Sequence, residues 1–337
     1  MKTLFLVTGA TGHIGSVIVG KLVGRGERVR ALVLPSEREF APEGAEICLG
    51  DVTDTRSLAL FFDRSGFDRV SLIHCAALIT IASKPDPKVW EVNVTGTKNV
   101  MRLALETGVD RAVYLSSVHA IPEKPGEIAE VDSFSPGLVY GQYAKSKAAA
   151  AQIVLDAARD GLNVSIVHPS GVIGPGDARG KNHMIRTIRA MARGRILVSP
   201  KGGYDFVDSR DVADGVLACE RLGRRGECYI LSGHYISVRD LLNAVRRFMG
   251  RRPLRAVISA GTAKLIAPLA ERLGLAFGRE PPLLTPCSAY TLNSNGRFSH
   301  EKATRELGYR PRDILVSIRD SLPPRPRFPR FGFPVET

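Results

Sequence analysis

The chain has 337 residues, of which 44% are hydrophobic, and it carries a net charge of +13 with an isoelectric point near 9.8. This composition supports a large buried core and excludes a disordered protein. No apolar run approaches the roughly 20 residues of a membrane span, and the chain enters a strand with no basic leader, so we expect a cytoplasmic protein with no membrane partner. Five widely spaced cysteines, none in a C-x-x-C pair, predict reduced structural thiols and no metal site.

The basic residues are scattered and do not form a nucleic-acid motif. Arginines gather loosely at 186–195, 221–225 and 246–252, with no recognition helix, zinc finger or aromatic RNA-binding pattern beside them. We therefore expect no nucleic-acid partner. A solvated basic surface of this kind suits an anionic cofactor or substrate.

The chain opens with an apolar run of strand length, three glycines spaced three residues apart, and apolar residues at helical spacing. This order predicts a buried strand that turns into a helix at the glycines. Gly9 permits the tight turn, Gly12 lets the backbone approach a pyrophosphate, and Gly15 lets the helix pack on the strand. The helix N-terminus adds unpaired N–H groups for phosphate. The predicted dinucleotide contacts in this turn are Gly9, Thr11, Gly12, His13, Ile14 and Gly15.

The end of the second strand bears on the choice of cofactor. A dinucleotide site usually places an acid there to bind the adenosine ribose, or a basic residue nearby to bind a 2′-phosphate. Val33 and Leu34 occupy these places. Because no carboxylate repels a 2′-phosphate and Arg30 or Arg38 is available to bind one, we expect NADP(H) to be favoured, with NAD(H) as the alternative.

Three further strands alternate with helices, and each is followed by residues that suit a ligand. Asp51, after the third strand, can accept a hydrogen bond from an adenine amino group. The alternation predicts a parallel sheet with right-handed crossovers and a ligand at the carboxyl ends of the strands. The residues expected there are Asp51 and Val52 after the third strand, Ala76 and Ala77 after the fourth, and Ser116 and Ser117 after the fifth.

Tyr143 and Lys147 open an alanine-rich helix and lie four residues apart, which places both on one face. A tyrosine is a poor proton donor or acceptor near neutrality, and a neighbouring ammonium lowers the pKa of its phenol. A hydroxyl group beside the phenol can hold a substrate oxygen. We therefore predict a catalytic group of Tyr143, Lys147 and Ser117, with Ser116 as a weaker alternative to Ser117.

A loop rich in proline and glycine follows the sixth strand. It could border the nicotinamide through Pro169, Gly171 and Val172, or it could be a plain crossover between domains. The later segments are mainly helical and predict a smaller substrate-binding lid. The predicted domains are a Rossmann domain at 1–170, to which 208–235 return, a lid at 171–207 and 236–322, and a Pro/Arg-rich tail at 323–337.

Together these motifs resemble the extended short-chain dehydrogenase/reductase family, which includes the NAD-dependent epimerases and dehydratases. The glycine turn, Asp51, Ala76, the Tyr143–Lys147 pair and the Pro169–Gly176 loop carry the resemblance. Within the family, the loop looks most like that of the dihydroflavonol and aldehyde reductases. The resemblance implies an α/β Rossmann fold, redox chemistry with NAD(P), a Ser-Tyr-Lys triad supported by Asn93, and a homodimer through the helices near 89–106 and 143–158.

Three functions are consistent with these residues. The first is a carbonyl reductase or alcohol dehydrogenase that acts on a small molecule. The second is a nucleotide-sugar epimerase or dehydratase, in which the same residues serve a tightly bound NAD. The third is a non-catalytic NAD(P)-binding sensor, because a fold does not by itself imply activity. We favour the first, since the triad is intact and Ser170-Gly171-Val172 offers no asparagine for a sugar nucleotide.

Overall fold

A computed structural model describes residues 2–194, 196, 198–254, 256–259, 261–262, 265–268 and 285–323. The predicted tail at 323–337 lies outside this range except for Pro323. No helix in the described part is long and apolar enough to cross a membrane. The same residues contain no group of three or more His, Cys, Asp or Glu side chains arranged to hold a metal ion.

The described strands alternate with helices along most of the chain. In chain order the strands are β1 Thr3–Thr8, β2 Arg28–Val33, β3 Glu46–Leu49, β4 Arg69–His74, β5 Arg111–Leu115, β6 Val164–Pro169, β7 Gly171–Ile173, β8 Ser199–Pro200, β9 Gly203–Asp208, β10 Cys228–Leu231, β11 His234–Ser237 and β12 Val257–Ile258. The helices with described bounds are α1 His13–Gly24, α2 Pro87–Trp90, α3 Thr97–Glu106, α4 Gln142–Arg159, α5 His183–Ala192, α6 Ser209–Leu222, α7 Val238–Phe248, α8 Pro286–Asn293, α9 Glu301–Leu307 and α10 Ile314–Asp320.

Seven strands form one parallel sheet in the order β10-β6-β5-β4-β1-β2-β3. Alternate residues of β1 face opposite layers, as the period of a strand requires. Leu6 packs in the layer that contains α3 and α4, and Val7 packs in the layer that contains α1 and α6. The sheet is therefore buried on both sides by helices, which confirms the predicted doubly wound α/β fold.

Five short strands outside the seven-stranded sheet were not predicted from the sequence. Strands β7, β9 and β11 form a three-stranded sheet, with β7 parallel and β11 antiparallel to β9. Strands β8 and β12 form a separate parallel pair. Helix α8 begins at Pro286. Proline at the first helical position is compatible with a helix start, because no backbone N–H is needed there.

A π-helical turn at Glu91–Gly96 joins α2 to α3 and makes a continuous helical segment. Such turns insert one extra residue into a helix and occur frequently at functional sites. Asn93 lies in this turn and is buried. The π-helical turn therefore directs the Asn93 amide into the interior. In a regular α-helix the same side chain would point in a different direction.

Candidate functional site

At two of the three glycine positions in the turn between β1 and α1, a side chain would overlap neighbouring backbone atoms. Gly9 has a φ of +64°, and a Cβ there would lie 2.7 Å from the backbone nitrogen of Ala76. A Cβ on Gly15 would lie 2.1 Å from the carbonyl oxygen of Gly9. The tight turn at Gly9 and the close packing at Gly15 are therefore confirmed. The pyrophosphate contact of Gly12 stays a prediction.

The start of α1 leaves backbone donors for an anion. Gly12 is the N-cap of this helix and supplies no side-chain hydrogen bond to its first turn. Free N–H groups at a helix N-terminus attract phosphate, which fits the predicted roles of His13, Ile14 and Gly15. Both ring nitrogens of His13 lie within hydrogen-bond distance of other residues. Its Nε2 lies 2.9 Å from the carbonyl oxygen of Pro175, and Asn182 Nδ2 lies 2.8 Å from its Nδ1.

Arg30 does not fit the cofactor role that the sequence analysis gave it. Its guanidinium donates to Glu46 at 2.7 Å and to the carbonyl oxygens of Leu60, Phe61 and Asp63, and the residue is buried. These bonds use donors of the Arg30 side chain, which lies on the sheet face opposite that of Ala31 and Val33. The structure therefore corrects this assignment to a structural role. Arg38 is exposed in the 3₁₀ turn Pro35–Phe40, and its contact with a cofactor stays a prediction.

A carboxylate that the sequence analysis missed lies beside the glycine turn. Glu37 accepts a hydrogen bond from the Thr11 hydroxyl and forms an ion pair with Arg179, which comes from the loop between β7 and α5. The side chains of Glu37 and Arg179 are only 12% and 18% exposed. Thus an acid does follow β2, although three or four residues beyond the expected positions. Its place in the short stretch after β2 was the available signal, whereas nothing in the sequence pointed to Arg179.

Asp51 and Val52 also have local structural roles. One carboxylate oxygen of Asp51 accepts hydrogen bonds from the backbone N–H and the hydroxyl of Thr53, each at 2.9 Å. Val52 is buried against Gly96, where an added Cβ would lie 2.6 Å from its side chain. These contacts order the loop after β3. The predicted adenine contact of Asp51 and the predicted cofactor contact of Val52 remain predictions.

The three predicted catalytic side chains converge at the carboxyl end of β5. Ser117 caps the 3₁₀ turn that follows β5, where its side chain accepts from the His119 N–H, and it is near enough to Tyr143 to lower the pKa of that phenol. Lys147 lies one turn after Tyr143 in α4, and its Nζ donates to the carbonyl oxygen of Leu115 at 2.7 Å. The same Nζ lies 4.4 Å from the centre of the Tyr114 ring. The fold therefore brings Ser117, Tyr143 and Lys147 into one buried cluster.

Burial dominates the proton affinities in this cluster. It raises the pKa of Tyr143 to about 12, against a smaller lowering by the nearby Ser117 side chain. It lowers the pKa of Lys147 to about 7, with a small opposing effect from Cys75. The sequence analysis expected Lys147 to lower the pKa of Tyr143. In this structure desolvation of the phenol raises that pKa instead, because Tyr143 is removed from water.

Asn93 holds the loop after β4 against α4. Its Oδ1 accepts from the backbone N–H of Leu78 at 2.7 Å, and its Nδ2 donates to the carbonyl oxygen of Leu78 at 3.0 Å and to the Ser146 hydroxyl at 2.9 Å. These bonds fully orient the amide. Ala76 and Ala77 precede this anchored point, and the Ala76 N–H donates to the Thr8 hydroxyl at 3.2 Å. Asn93 thus positions the loop that would line a ligand.

The proline- and glycine-rich loop packs against the start of α1. A Cβ on Gly176 would lie 2.5 Å from Val17, and the Ser16 hydroxyl donates to the Gly176 carbonyl oxygen at 3.1 Å. Pro169 ends β6, while Gly171 and Val172 belong to β7. The loop therefore connects the two sheets and also contacts the glycine-turn helix. The nicotinamide contacts of Pro169, Gly171 and Val172 stay predictions.

A cavity of about 110 Å³ lies near Tyr143, and its lining combines apolar, aromatic and polar side chains. Two polar members of its wall were not singled out in the sequence. The Nε2 of His119 lies 3.2 Å from the hydroxyl of Tyr204, and their rings stack with centroids 5.5 Å apart. The His119 ring also meets Tyr143 edge-on at 6.1 Å. Burial lowers the pKa of His119 to about 4, so its imidazole is neutral at pH 7.

Comparison with known proteins places the chain in a family. Residues 5–232 match the model of the NAD dependent epimerase/dehydratase family. The chain is 34% identical over 328 residues to "Sterol demethylase protein B" of Methylococcus capsulatus, covering 94% of this chain and 96% of the relative. It is 30% identical over 331 residues to a "Putative dihydroflavonol 4-reductase" of Synechocystis, covering 96% and 94%. Among solved structures, gox2253 shares 34% identity with a TM-score of 0.80, covering 95% of this chain and 97% of that one.

Proposed function

Because this chain belongs to the NAD-dependent epimerase/dehydratase family, we propose that it is an oxidoreductase that moves a hydride between a nicotinamide and a carbonyl or alcohol carbon. The convergence of Ser117, Tyr143 and Lys147 at the end of β5 carries this proposal. A hydroxyl, a phenol and an ammonium in one buried cluster provide the donors that a ketone oxygen needs as it becomes an alcohol.

Each side chain has a distinct part in the proposed reaction. When bound, the nicotinamide supplies or accepts the hydride. Ser117 holds the substrate oxygen, and Tyr143 gives its proton to that oxygen in reduction or takes it in oxidation. A phenol whose pKa is raised to about 12 is protonated at pH 7, so the structure favours Tyr143 as the acid in the reductive direction. Lys147, which the carbonyl oxygen of Leu115 holds in place, would bind the nicotinamide ribose.

We further propose that the cofactor is NAD(H). The preference for NADP(H) expected from the sequence depended on the lack of a carboxylate after β2. Glu37 supplies that carboxylate, and its hydrogen bond with Thr11 places it against the glycine turn. A buried carboxylate there can accept from ribose hydroxyls and would repel a 2′-phosphate. Titration of the protein with NADH and NADPH tests this, and tighter binding of NADPH would contradict it.

For the substrate we propose an apolar molecule with fused rings that bears a hydroxyl or keto group. Residues that line the cavity beside Tyr143 include Ile128, Leu138, Val139 and Phe298. Leu138 and Tyr140, which line this cavity, are 65% and 53% exposed and give part of its edge an apolar and aromatic surface. The similarity to a sterol demethylase component is consistent with such a substrate.

The proposal is tested by NADH oxidation with a panel of 3-oxosteroids and aromatic aldehydes. For any substrate that is turned over, Tyr143→Phe should lower kcat by about 100-fold or more, because a positioned acid contributes about 10²–10⁴. NADH affinity should be retained. Tyr235→Phe, at an exposed tyrosine of β11, serves as the matched control. Full activity of Tyr143→Phe would refute the assignment, and NAD that stays bound through dialysis would instead favour an epimerase or dehydratase cycle.

A further inference from the structure

Arg179 has an unusual set of contacts at the glycine turn. One end of its guanidinium pairs with Glu37, and its Nη1 lies 3.4 Å from the Thr11 hydroxyl oxygen. Its Nε is buried and has no hydrogen-bond partner within the described part of the chain. A buried donor without an acceptor costs free energy, so such a group in a native fold needs an explanation.

The loop that carries Arg179 is fixed on both sides of this residue. On one side, the Gly176 carbonyl oxygen accepts from the Ser16 hydroxyl. On the other, the backbone N–H groups of Lys181 and Asn182 donate to the Asp177 carboxylate, each at 3.2 Å. Asn182 also contacts the His13 ring. These contacts hold the loop, and with it Arg179, beside the glycine turn. The Nε of Arg179 therefore lacks an acceptor in the position at which the loop fixes the side chain.

We propose that Arg179 is a cofactor-binding residue whose guanidinium donates to a pyrophosphate oxygen of the dinucleotide. This proposal deepens the proposed function and rests on it. The planar guanidinium offers several donors and matches phosphate geometry, which explains an Nε with no protein acceptor. Thr11 belongs to the turn whose N–H groups suit the pyrophosphate. Glu37 contacts both Thr11 and Arg179 and disfavours a 2′-phosphate as the group bound.

Binding of nucleotide in the absence of substrate tests the proposal. Arg179→Gln removes the charge, Arg179→Lys keeps the charge but loses the planar fork, and Lys181→Gln removes an equal charge from an exposed position of the same loop. Affinities for NADH and NADPH would be measured by fluorescence titration at two salt concentrations, after circular dichroism confirms that each variant is folded. Arg179→Gln should weaken NADH and NADPH about 10-fold each and reduce the salt dependence.

The other outcomes are distinct. Arg179→Lys should fall between the wild type and Arg179→Gln, while Lys181→Gln should match the wild type. A loss confined to NADPH would assign Arg179 to a 2′-phosphate and overturn the pyrophosphate contact. Unchanged affinity for both nucleotides in Arg179→Gln would overturn any role in binding. Because no turnover is measured, this result is independent of whether Tyr143 performs the proposed chemistry.

Discussion

Replacement of Lys147 by methionine should stabilise the protein without nucleotide at pH 7 while it abolishes turnover. The residue is 1% exposed, and burial lowers the pKa of its ammonium from 10.5 to about 7. Each pKa unit corresponds to about 1.4 kcal/mol, so holding the lysine in the fold at pH 7 costs about 4 kcal/mol relative to the unfolded chain. Methionine fills a similar volume without a charge.

Part of this gain is offset by a lost hydrogen bond. Lys147 Nζ donates to the carbonyl oxygen of Leu115, and removal of a donor from a buried acceptor costs about 1–3 kcal/mol. We therefore expect Lys147→Met to raise the free energy of unfolding by about 1–3 kcal/mol at pH 7. This exchange of stability for function is common at active sites.

The difference should depend on pH in a defined direction. The folded-state pKa lies below the unfolded value, so the unfolded chain binds more protons between pH 7 and 10.5, and wild-type stability gains with rising pH across this window. The advantage of Lys147→Met should accordingly shrink from pH 7, reach zero between about pH 8 and 10, and reverse at higher pH, where only the lost hydrogen bond distinguishes the two proteins. Urea denaturation at several pH values measures the difference in the free energy of unfolding between Lys147→Met and the wild type. Lys145→Met, at an exposed position of α4, is the control. A variant that is less stable at pH 7, or a difference that does not change with pH, would refute the reasoning.

Three other substitutions test the placement of residues around the site. Gly15→Ala should destabilise the protein by about 2 kcal/mol or more and weaken nucleotide binding, because its Cβ would overlap the Gly9 carbonyl oxygen; thermal denaturation and NADH titration measure both effects. Asn93→Ala should lower kcat more than NADH affinity, because it frees Leu78 and the loop after β4; equal losses in both would contradict this. Arg30→Gln should cost about 1–3 kcal/mol of stability and leave the dissociation constant of NADH unchanged, whereas weaker NADH binding in a fully stable variant would restore the cofactor role.

The parts of the fold that depend on local signals could be predicted from the sequence. The apolar run, the glycines and the following helical pattern are contiguous, and each acts on its immediate neighbours in β1 and α1. Tyr143 and Lys147 are separated by one helical turn, so their shared face follows from helix geometry. The resemblance to the epimerase/dehydratase family is confirmed over residues 5–232.

The missed features depend on contacts between distant parts of the chain. Glu37 meets Arg179 across 142 positions of sequence, and His119 meets Tyr204 across 85. The small sheet of β7, β9 and β11 consists of strands of three to six residues, which carry too little periodicity to be recognised alone. Arg30 was assigned to the cofactor because its position along the strand was known but the direction of its side chain was not.

Hydride transfer assisted by the Ser117, Tyr143 and Lys147 cluster is tested most directly with NADH that carries deuterium at both C4 positions of the nicotinamide. The first substrate identified in the panel would be reduced by this cofactor, and the product analysed by mass spectrometry and NMR. The account predicts one deuterium on the carbinol carbon, one NAD⁺ formed per product, and almost no labelled product with Tyr143→Phe. Product without deuterium at that carbon, or labelled product formed equally by Tyr143→Phe, would contradict it.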